Sequence, residues 1–297
     1  MRTRRLGRTG LMVSELGFGA SEIGYQGVAL KTVERMLGGA LDAGLNVVDT
    51  AACYDSSEEL VGRAAGNRRK DFYIFTKCGH ASGLDCDDWT PALVEKSIAR
   101  SLKRLRTDYL DLVQFHSCGE EALRRGDITT ALQRARDRGL TRFIGYSGDG
   151  AAALYAVRCG AFDTLQISVN IADQEAIDLV LPEAIAGDIG VIAKRPIANA
   201  AWVGGWRSPI DSYAEPYRRR LRELRYDFLE TPASIGIALR FTLTVAGVHT
   251  AIMGTTKPSR WEQNAALLER GPLTPAEFDA IRSRWREAAP VGWVGLQ

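Results

Sequence analysis

Short β-rich runs recur along the 297-residue chain with amphipathic helical stretches between them, and this alternation restricts the fold more than any other property. The runs fall at residues 15–17, 46–49, 72–77, 110–116, 143–146, 164–168, 190–194 and 248–252. The helical pattern between them is clearest at 31–43, 57–65, 91–105, 128–138 and 150–158. Thr90-Pro91 predicts a helix start, a capping hydroxyl ahead of a proline at the first helical position. Gly44 and Gly139 stand where helices should stop. Strands alternating with helices roughly every thirty residues imply right-handed βαβ units and a parallel sheet. A closed barrel of such units needs ~250 residues, and a doubly wound open sheet is the rival. Residues 2–6 and 11–13 flank Gly7-Arg8-Thr9-Gly10 and predict a hairpin ahead of the first long unit. No linker rich in Gly, Pro or Ser marks a second domain. The expected architecture is therefore α/β: one (β/α)8 TIM barrel domain over residues 1–297 with a short N-terminal β-hairpin.

Composition excludes several partners. A net charge of +2 gives no reason to expect nucleic acid or an anionic membrane. The longest apolar stretch, 235–248, contains Arg240 and is too short to span a bilayer. Arg2, Arg4, Arg5 and Arg8 are not followed by an uninterrupted apolar stretch, which argues against a secretory signal, so a cytoplasmic location is the expectation. The five cysteines form no CxxC and are odd in number, which argues against a disulfide framework. Cys53, Cys78, Cys118 and His80 would offer zinc its preferred ligands, but they lack paired spacing. Small hydrophobes at strand ends are the simpler reading, and no metal is expected.

The hydrophobic runs end on chemistry. Asp49 closes the run at 46–49, with Tyr54 five residues later; Lys77 closes 72–77 and His116 closes 110–116. In a parallel barrel, residues at the carboxyl ends of different strands converge on one mouth. An acid, a phenol, an ammonium and an imidazole gathered there make a proton-donating site. Singly, each has an ordinary explanation: a mouth aromatic, a solvated lysine, a capping acid, a core histidine. Jointly they point to one chemistry.

Two glycine-containing segments invite a nucleotide. Gly17, Gly19 and Gly24 have the spacing G-x-G-x4-G and no helix opening on the third glycine, so they are not a Rossmann fingerprint. Residues 252–260 differ: a strand ends at Gly254, Thr255 and Thr256 follow with Lys257 and Arg260, and a helix begins after Pro258. Helix-start amides, hydroxyls and two cations suit a phosphate.

Together, Asp49-Thr50-Ala51-Ala52-Cys53-Tyr54, the strand ends at Lys77 and His116, and the segment 252–264 resemble the aldo-keto reductase family, over residues 6 to 264. Its members are (β/α)8 barrels that bind a nicotinamide cofactor, usually NADPH, without a Rossmann fold. The resemblance implies that Tyr54 protonates the carbonyl oxygen, Lys77 stabilises the phenolate, Asp49 holds Lys77 and His116 orients the carbonyl. A phenol titrates near ~10, and an adjacent ammonium is expected to lower that value. Ser147 and Gln166 match positions that hold the carboxamide, Thr255 and Arg260 those that grip the adenosine phosphate, and Gln263 and Asn264 those that bind adenine. Gly19, Ala20, Lys194, Pro196, Gly254, Thr256 and Lys257 complete the implied cofactor set. Three positions depart from the family: Gly148 where many members have asparagine, Lys194 where many stack an aromatic ring on the nicotinamide, and Gly254 in place of a lysine. Lys257 and Arg260 still favour NADPH, with NADH as the alternative.

The expected activity is NAD(P)H-dependent reduction of aldehydes or ketones to alcohols, or the reverse, on a small-molecule carbonyl or alcohol. The start Leu16-Gly17-Phe18-Gly19-Ala20-Ser21 looks like that of members acting on sugars and polyols, which makes a sugar or polyol dehydrogenase the alternative. A cofactor-sensing regulatory subunit with little turnover is the reading from another class. The chain carries no extra N-terminal segment to engage a partner, so the enzyme is expected. Specificity is expected in the loops at 80–88, 118–126 and 197–212; the last, with Trp202 and Trp206, is either a lid or pocket wall or an ordinary insertion.

Overall fold

A computed structural model describes residues 1–206 and 208–296. Strands β1 (Thr3–Arg5) and β2 (Met12–Ser14) pair antiparallel around a single 3-10 turn. The others are β3 (Leu16–Gly19), β4 (Val47–Asp49), β5 (Tyr73–Cys78), β6 (Leu110–His116), β7 (Thr141–Ser147), β8 (Thr164–Ser168), β9 (Gly190–Lys194) and β10 (Val248–Gly254). They form a closed parallel barrel in the order β10-β3-β4-β5-β6-β7-β8-β9. Pairing of β10 with β3, from Ala251 opposite Leu16 to Gly254 opposite Gly19, closes the barrel and excludes the open-sheet alternative.

The first barrel strand starts and ends later than its apolar pattern suggests, at Leu16–Gly19 rather than 15–17. Glu15 is held below it, where its carboxylate accepts from Arg2 (3.0 Å) and Arg4 (2.6 Å). At the far end, β10 continues past Ile252 to Gly254 because Met253 and Gly254 pair with Phe18 and Gly19.

Alternation along the strands sorts the side chains into two cores. Val47, Phe75, Leu112, Ile192 and Ile252 pack inside the barrel with Leu6, Leu11 and Val13 of the hairpin, which seals the amino-terminal end. Each such fully buried aliphatic side chain contributes about 1.5–3 kcal/mol. Val48, Ile74, Val113, Ile144, Leu165 and Val191 face outward and join the larger core beneath the helices. Stepping two residues along the inner set turns Val47 into Asp49, Phe75 into Lys77 and Ile192 into Lys194; four residues beyond Leu112 is His116. One face of each strand is therefore apolar at the floor and polar at the mouth. This gradient carries the functional groups to the carboxyl end.

The helices follow their local chemistry. The helix Pro91–Leu105 begins where the Thr90 hydroxyl accepts from the Leu93 amide at 3.3 Å, and it buries Leu93, Val94, Ile98 and Leu105 at helical spacing. Gly44 (φ 85°) and Gly139 (φ 75°) occupy the left-handed region just past two helix ends. The apolar stretch at 235–248 lies largely in the helix Ser234–Thr244, most of whose residues are buried, among them Leu239, Phe241 and Leu243. Among the described residues, no helix is long and apolar enough to cross a membrane.

Candidate functional site

Tyr54 sits on a tightly fastened turn beyond β4. The Thr50 amide donates to the Phe75 carbonyl (2.8 Å) and the Ala52 amide to the Lys77 carbonyl (3.1 Å), so the chain continues along β5 after the strand ends. The Ser57 hydroxyl lies 2.8 Å from that of Thr50 and donates to the Ala20 carbonyl at 2.7 Å. Gly24 belongs to this packing: a Cβ there would lie 2.2 Å from the Tyr54 carbonyl oxygen. The spacing of Gly17, Gly19 and Gly24 thus reflects close approach of backbone and side chains.

Beneath Tyr54 runs a buried chain of hydrogen bonds. Lys77 Nζ donates to Asp49 Oδ2 at 2.5 Å and to the Thr50 carbonyl at 2.9 Å. Gln166 Nε2 donates to the other Asp49 oxygen at 2.9 Å, and Ser147 Oγ donates to Gln166 Oε1 at 2.9 Å. The two residues matched to carboxamide binding are therefore tied directly to the acid–lysine pair, a link no spacing predicts. Lys77 Nζ lies 5.2 Å from the centre of the Tyr54 ring. Burial pushes the Asp49 carboxyl up, against the opposing pull of Lys77 and the Gln166 hydrogen bond. Burial also pushes the Tyr54 hydroxyl well above the usual phenol range, and the charge of Asp49 adds to the rise. This reverses the lowering expected from the sequence.

His116 meets the edge of the Tyr54 ring, with centroids 5.4 Å apart. Burial, then the charges of Lys77, His80, Lys194 and Arg195, hold its imidazole well below the ordinary histidine value, so the ring is neutral. The row of rings extends both ways: Tyr25 lies 5.6 Å from Tyr54, His80 5.7 Å from His116, and Trp89 4.9 Å from His80. His80 Nδ1 is 3.0 Å from Asp88 Oδ2. Tyr25 and Trp89 carry no signal in the sequence beyond being aromatic. Cys53 lies against His116, whereas Cys78 and Cys118 are buried in the outer core. Among the described residues, no group of three His, Cys, Asp or Glu side chains is placed to hold a metal.

The departures from the family pattern acquire physical reasons. Tyr146 folds over Gly148 and donates from its hydroxyl to the Cys118 carbonyl at 2.7 Å. A Cβ at Gly148 would lie 2.3 Å from that hydroxyl oxygen. Gly148→Asn should consequently destabilise the protein by about 1–3 kcal/mol through overpacking, read from the urea midpoint; Gly148→Asn combined with Tyr146→Phe should recover part of the loss. Lys194 pairs with Asp149 at 2.7 Å, and burial draws its ammonium below the usual lysine value against that pairing. Pro196 is buried, and its carbonyl accepts from Thr242 Oγ1 at 2.8 Å. Arg195 donates to the Tyr213 hydroxyl at 2.5 Å and also to the Leu296 carbonyl. Arg220 donates to the Val294 carbonyl at 2.7 Å, so residues 294–296 are fastened across this side of the mouth.

Residues 255–264 lie beyond β10. Thr255 Oγ1 accepts from the Lys257 amide at 3.1 Å, and the helix Arg260–Leu267 starts without a side-chain cap. Lys257, Arg260 and Gln263 are exposed and Thr256 is half-buried, whereas Asn264 is buried with its Nδ2 lacking a hydrogen-bond partner. Gly19 and Ala20 line the adjoining strand end, and the Ala20 amide donates to the Asp49 carbonyl at 2.9 Å. One acid intrudes: the Glu22 carboxylate fills the space that a side chain at Gly254 would occupy. Part of the 197–212 stretch, of which Arg207 is outside the described residues, lines a cavity. Trp202, Gly204 and Trp206 face Leu229, Glu230 and Ser234 across a cavity of about 380 Å³. That cavity is separate from Asp49, Tyr54, Lys77 and His116.

Asp49, Lys77 and His116 thus lie at the carboxyl ends of their strands, at the mouth of a closed parallel barrel and beside Tyr54. The sequence pattern of the aldo/keto reductase family matches residues 15–286, and the chain belongs to that family. Aldo-keto reductases are oxidoreductases that use NAD(P)H and act on small molecules. Among similar proteins, an uncharacterized oxidoreductase, YqkF, of Bacillus subtilis (strain 168) is 27% identical over 97% of each chain. L-galactose dehydrogenase of Arabidopsis thaliana is 29% identical over 89% of this chain and 87% of its own length. The aldo-keto reductase AKR11C1 of Bacillus halodurans, in its holo form, superposes with a TM-score of 0.83 at 25% identity, covering 98% of this chain and 99% of its own.

Proposed function

We propose that this chain reduces an aldehyde or ketone to the alcohol, or runs the reverse, with Tyr54 as the proton donor and NADPH as the preferred cofactor. The observation that carries this reading is the buried Lys77–Asp49 pair beneath Tyr54, joined through Gln166 to Ser147. The residues present suit a nicotinamide dinucleotide. Asn264 offers an unpartnered buried amide, the helix at Arg260 offers free backbone donors, and Thr255, Lys257 and Arg260 add hydroxyl and charge. Glu22 opposes an anion beside Gly254, so preference for the 2′-phosphate rests on Lys257 and Arg260. When bound, the cofactor supplies hydride chemistry.

The chain's own residues handle the proton and the geometry. Tyr54 remains a neutral phenol and gives its proton to the oxygen that gains charge. Lys77 has acceptors for two of its three protons among the described residues, leaving one N–H to stabilise the phenolate. Asp49 keeps the buried lysine charged and in place. His116, neutral, donates to the carbonyl oxygen and orients it. The row of Tyr25, His80 and Trp89 forms one wall of the substrate entrance.

Polyol oxidation is the second reading. It is favoured by the rings beside the His80–Asp88 pair, which suit a molecule with apolar faces and many hydroxyls, and by the similarity to L-galactose dehydrogenase. A panel of aldehydes, ketones and polyols assayed against both cofactors by nicotinamide absorbance separates the readings. Turnover of an aldehyde with NADPH is expected; tight cofactor binding without turnover of any compound would replace the enzyme with a regulatory protein. Arg260→Ala should weaken NADPH binding about 10- to 100-fold and NADH binding little, measured by fluorescence titration. Equal losses would remove the 2′-phosphate from Arg260.

A further inference from the structure

We propose that Cys53 is a positioning residue: its thiol donates to His116 Nδ1 and so fixes the imidazole in the tautomer that carries its proton on Nε2. This rests on the carbonyl-reducing reading of the site. Cys53 Sγ lies 3.2 Å from His116 Nδ1, across sixty-three residues of sequence. The thiol sits on the same fastened turn as Tyr54, so the hydrogen bonds that place the phenol also place the sulfur. Tyr25 adds a further tie through its hydroxyl, 3.4 Å from the Cys53 carbonyl.

The direction of the hydrogen bond follows from the chemistry of the partners. Burial pushes the Cys53 thiol above its usual value, so the sulfur keeps its proton and can donate. His116 is neutral, and a neutral imidazole carries one donor and one acceptor nitrogen. Ring nitrogen is the better acceptor and thiol sulfur the poorer one, so S–H to Nδ1 is the favoured pairing. His80 Nδ1 is taken by Asp88 at 3.0 Å, and among the described residues no hydrogen bond joins His80 to His116, whose ring centroids are 5.7 Å apart. Among the described residues, Nε2 has no hydrogen-bond partner, and the ring meets the edge of Tyr54. A proton on Nε2 can donate to a carbonyl oxygen there. The opposite tautomer would present a lone pair to that oxygen and repel it.

The test combines a tautomer readout with kinetics on the full chain. The protein contains three histidines, so 15N-histidine labelling with long-range proton–nitrogen spectra can assign His116 by comparison with a His116→Gln control. Wild type should show a bare Nδ1 and a protonated Nε2. Cys53→Ala should show a mixture of tautomers, and Cys53→Ser, which retains a donor, should return the wild-type pattern. In steady-state kinetics, Cys53→Ala should lower kcat for an aldehyde roughly fivefold with the cofactor dissociation constant unchanged, and Cys53→Ser should recover most of it. An unchanged single tautomer in Cys53→Ala, or a bare Nε2 in wild type, would overturn the proposal. Failure of the wild type to turn over any carbonyl, with the tautomer pattern as expected, would uphold the thiol–imidazole pairing and remove only the reductase reading.

Discussion

Tyr54→Phe should lower carbonyl reduction about 10²- to 10⁴-fold while leaving cofactor affinity within twofold, the range expected for loss of a positioned general acid. The substitution removes one oxygen from a ring held by its turn, its neighbours Tyr25 and His116 and the cation of Lys77, so the fold should be undisturbed. The raised pKa of the phenol adds a second signature. A proton donor held well above its usual range stays protonated as the pH rises, so the reductive rate should remain level through about pH 9. A donor lowered by its lysine would instead lose its proton, and its activity, within that interval. A decline in the reductive rate between about pH 8 and 9 that disappears in a Tyr54→Phe background would reverse the pKa assignment. A near-normal rate in Tyr54→Phe would remove Tyr54 from the chemistry.

Lys77→Met should be the most destabilising change at the site, costing about 3–5 kcal/mol, because it strands the buried Asp49 carboxylate. The Lys77 and Asp49 side chains are only 2% and 5% exposed, so solvent cannot take the place of the missing partner. Among the described residues, only the Gln166 amide would remain as a side-chain donor to the acid. The pH dependence has a defined sign. Removing the cation raises the folded-state pKa of Asp49 further above its unfolded value, so the folded variant binds a proton more readily than the unfolded chain. The variant should therefore gain stability as the pH falls from about 7 towards 4. The double variant Asp49→Leu, Lys77→Met should regain most of the stability at neutral pH while remaining inactive. Urea unfolding of wild type, Asp49→Leu, Lys77→Met and the double variant at two pH values measures the coupling directly, and additive losses would show that the pair is not the source.

Barrel architecture and the gathering of polar groups at its mouth were readable from the chain because both depend on period. Val47 with Asp49, Phe75 with Lys77 and Leu112 with His116 lie on the same face of their strands, and alternation alone brings their ends together. What was hidden depends on contacts between distant segments. Nothing near Gln166 in the sequence tells that its amide reaches Asp49, nor does Gly148 reveal that Tyr146 lies over it. Strand limits shifted for the same reason, since Glu15 is claimed by hairpin arginines and Gly254 by its partner Gly19. The sequence leads towards a lowered Tyr54 phenol because it shows the lysine but not the burial of the phenol, which raises it, nor the charge of Asp49, which adds to the rise. Glu22, beside the expected phosphate position, was likewise invisible as a neighbour of Gly254.

Closure of the barrel also governs how the chain can be made. Strand β3 pairs on one edge with β4 but on the other with β10, so Leu16–Gly19 must wait for Ala251–Gly254 to be synthesised before its second partner exists. Until then the growing sheet has an open edge, and loop closure over most of the chain makes this pairing a late, slow event on the ribosome. The waiting edge is only four residues long, and two of them are glycines, a poor template for strands of other molecules. The same glycines that let β10 come close at the end of folding therefore also protect the nascent chain from aggregation while it waits.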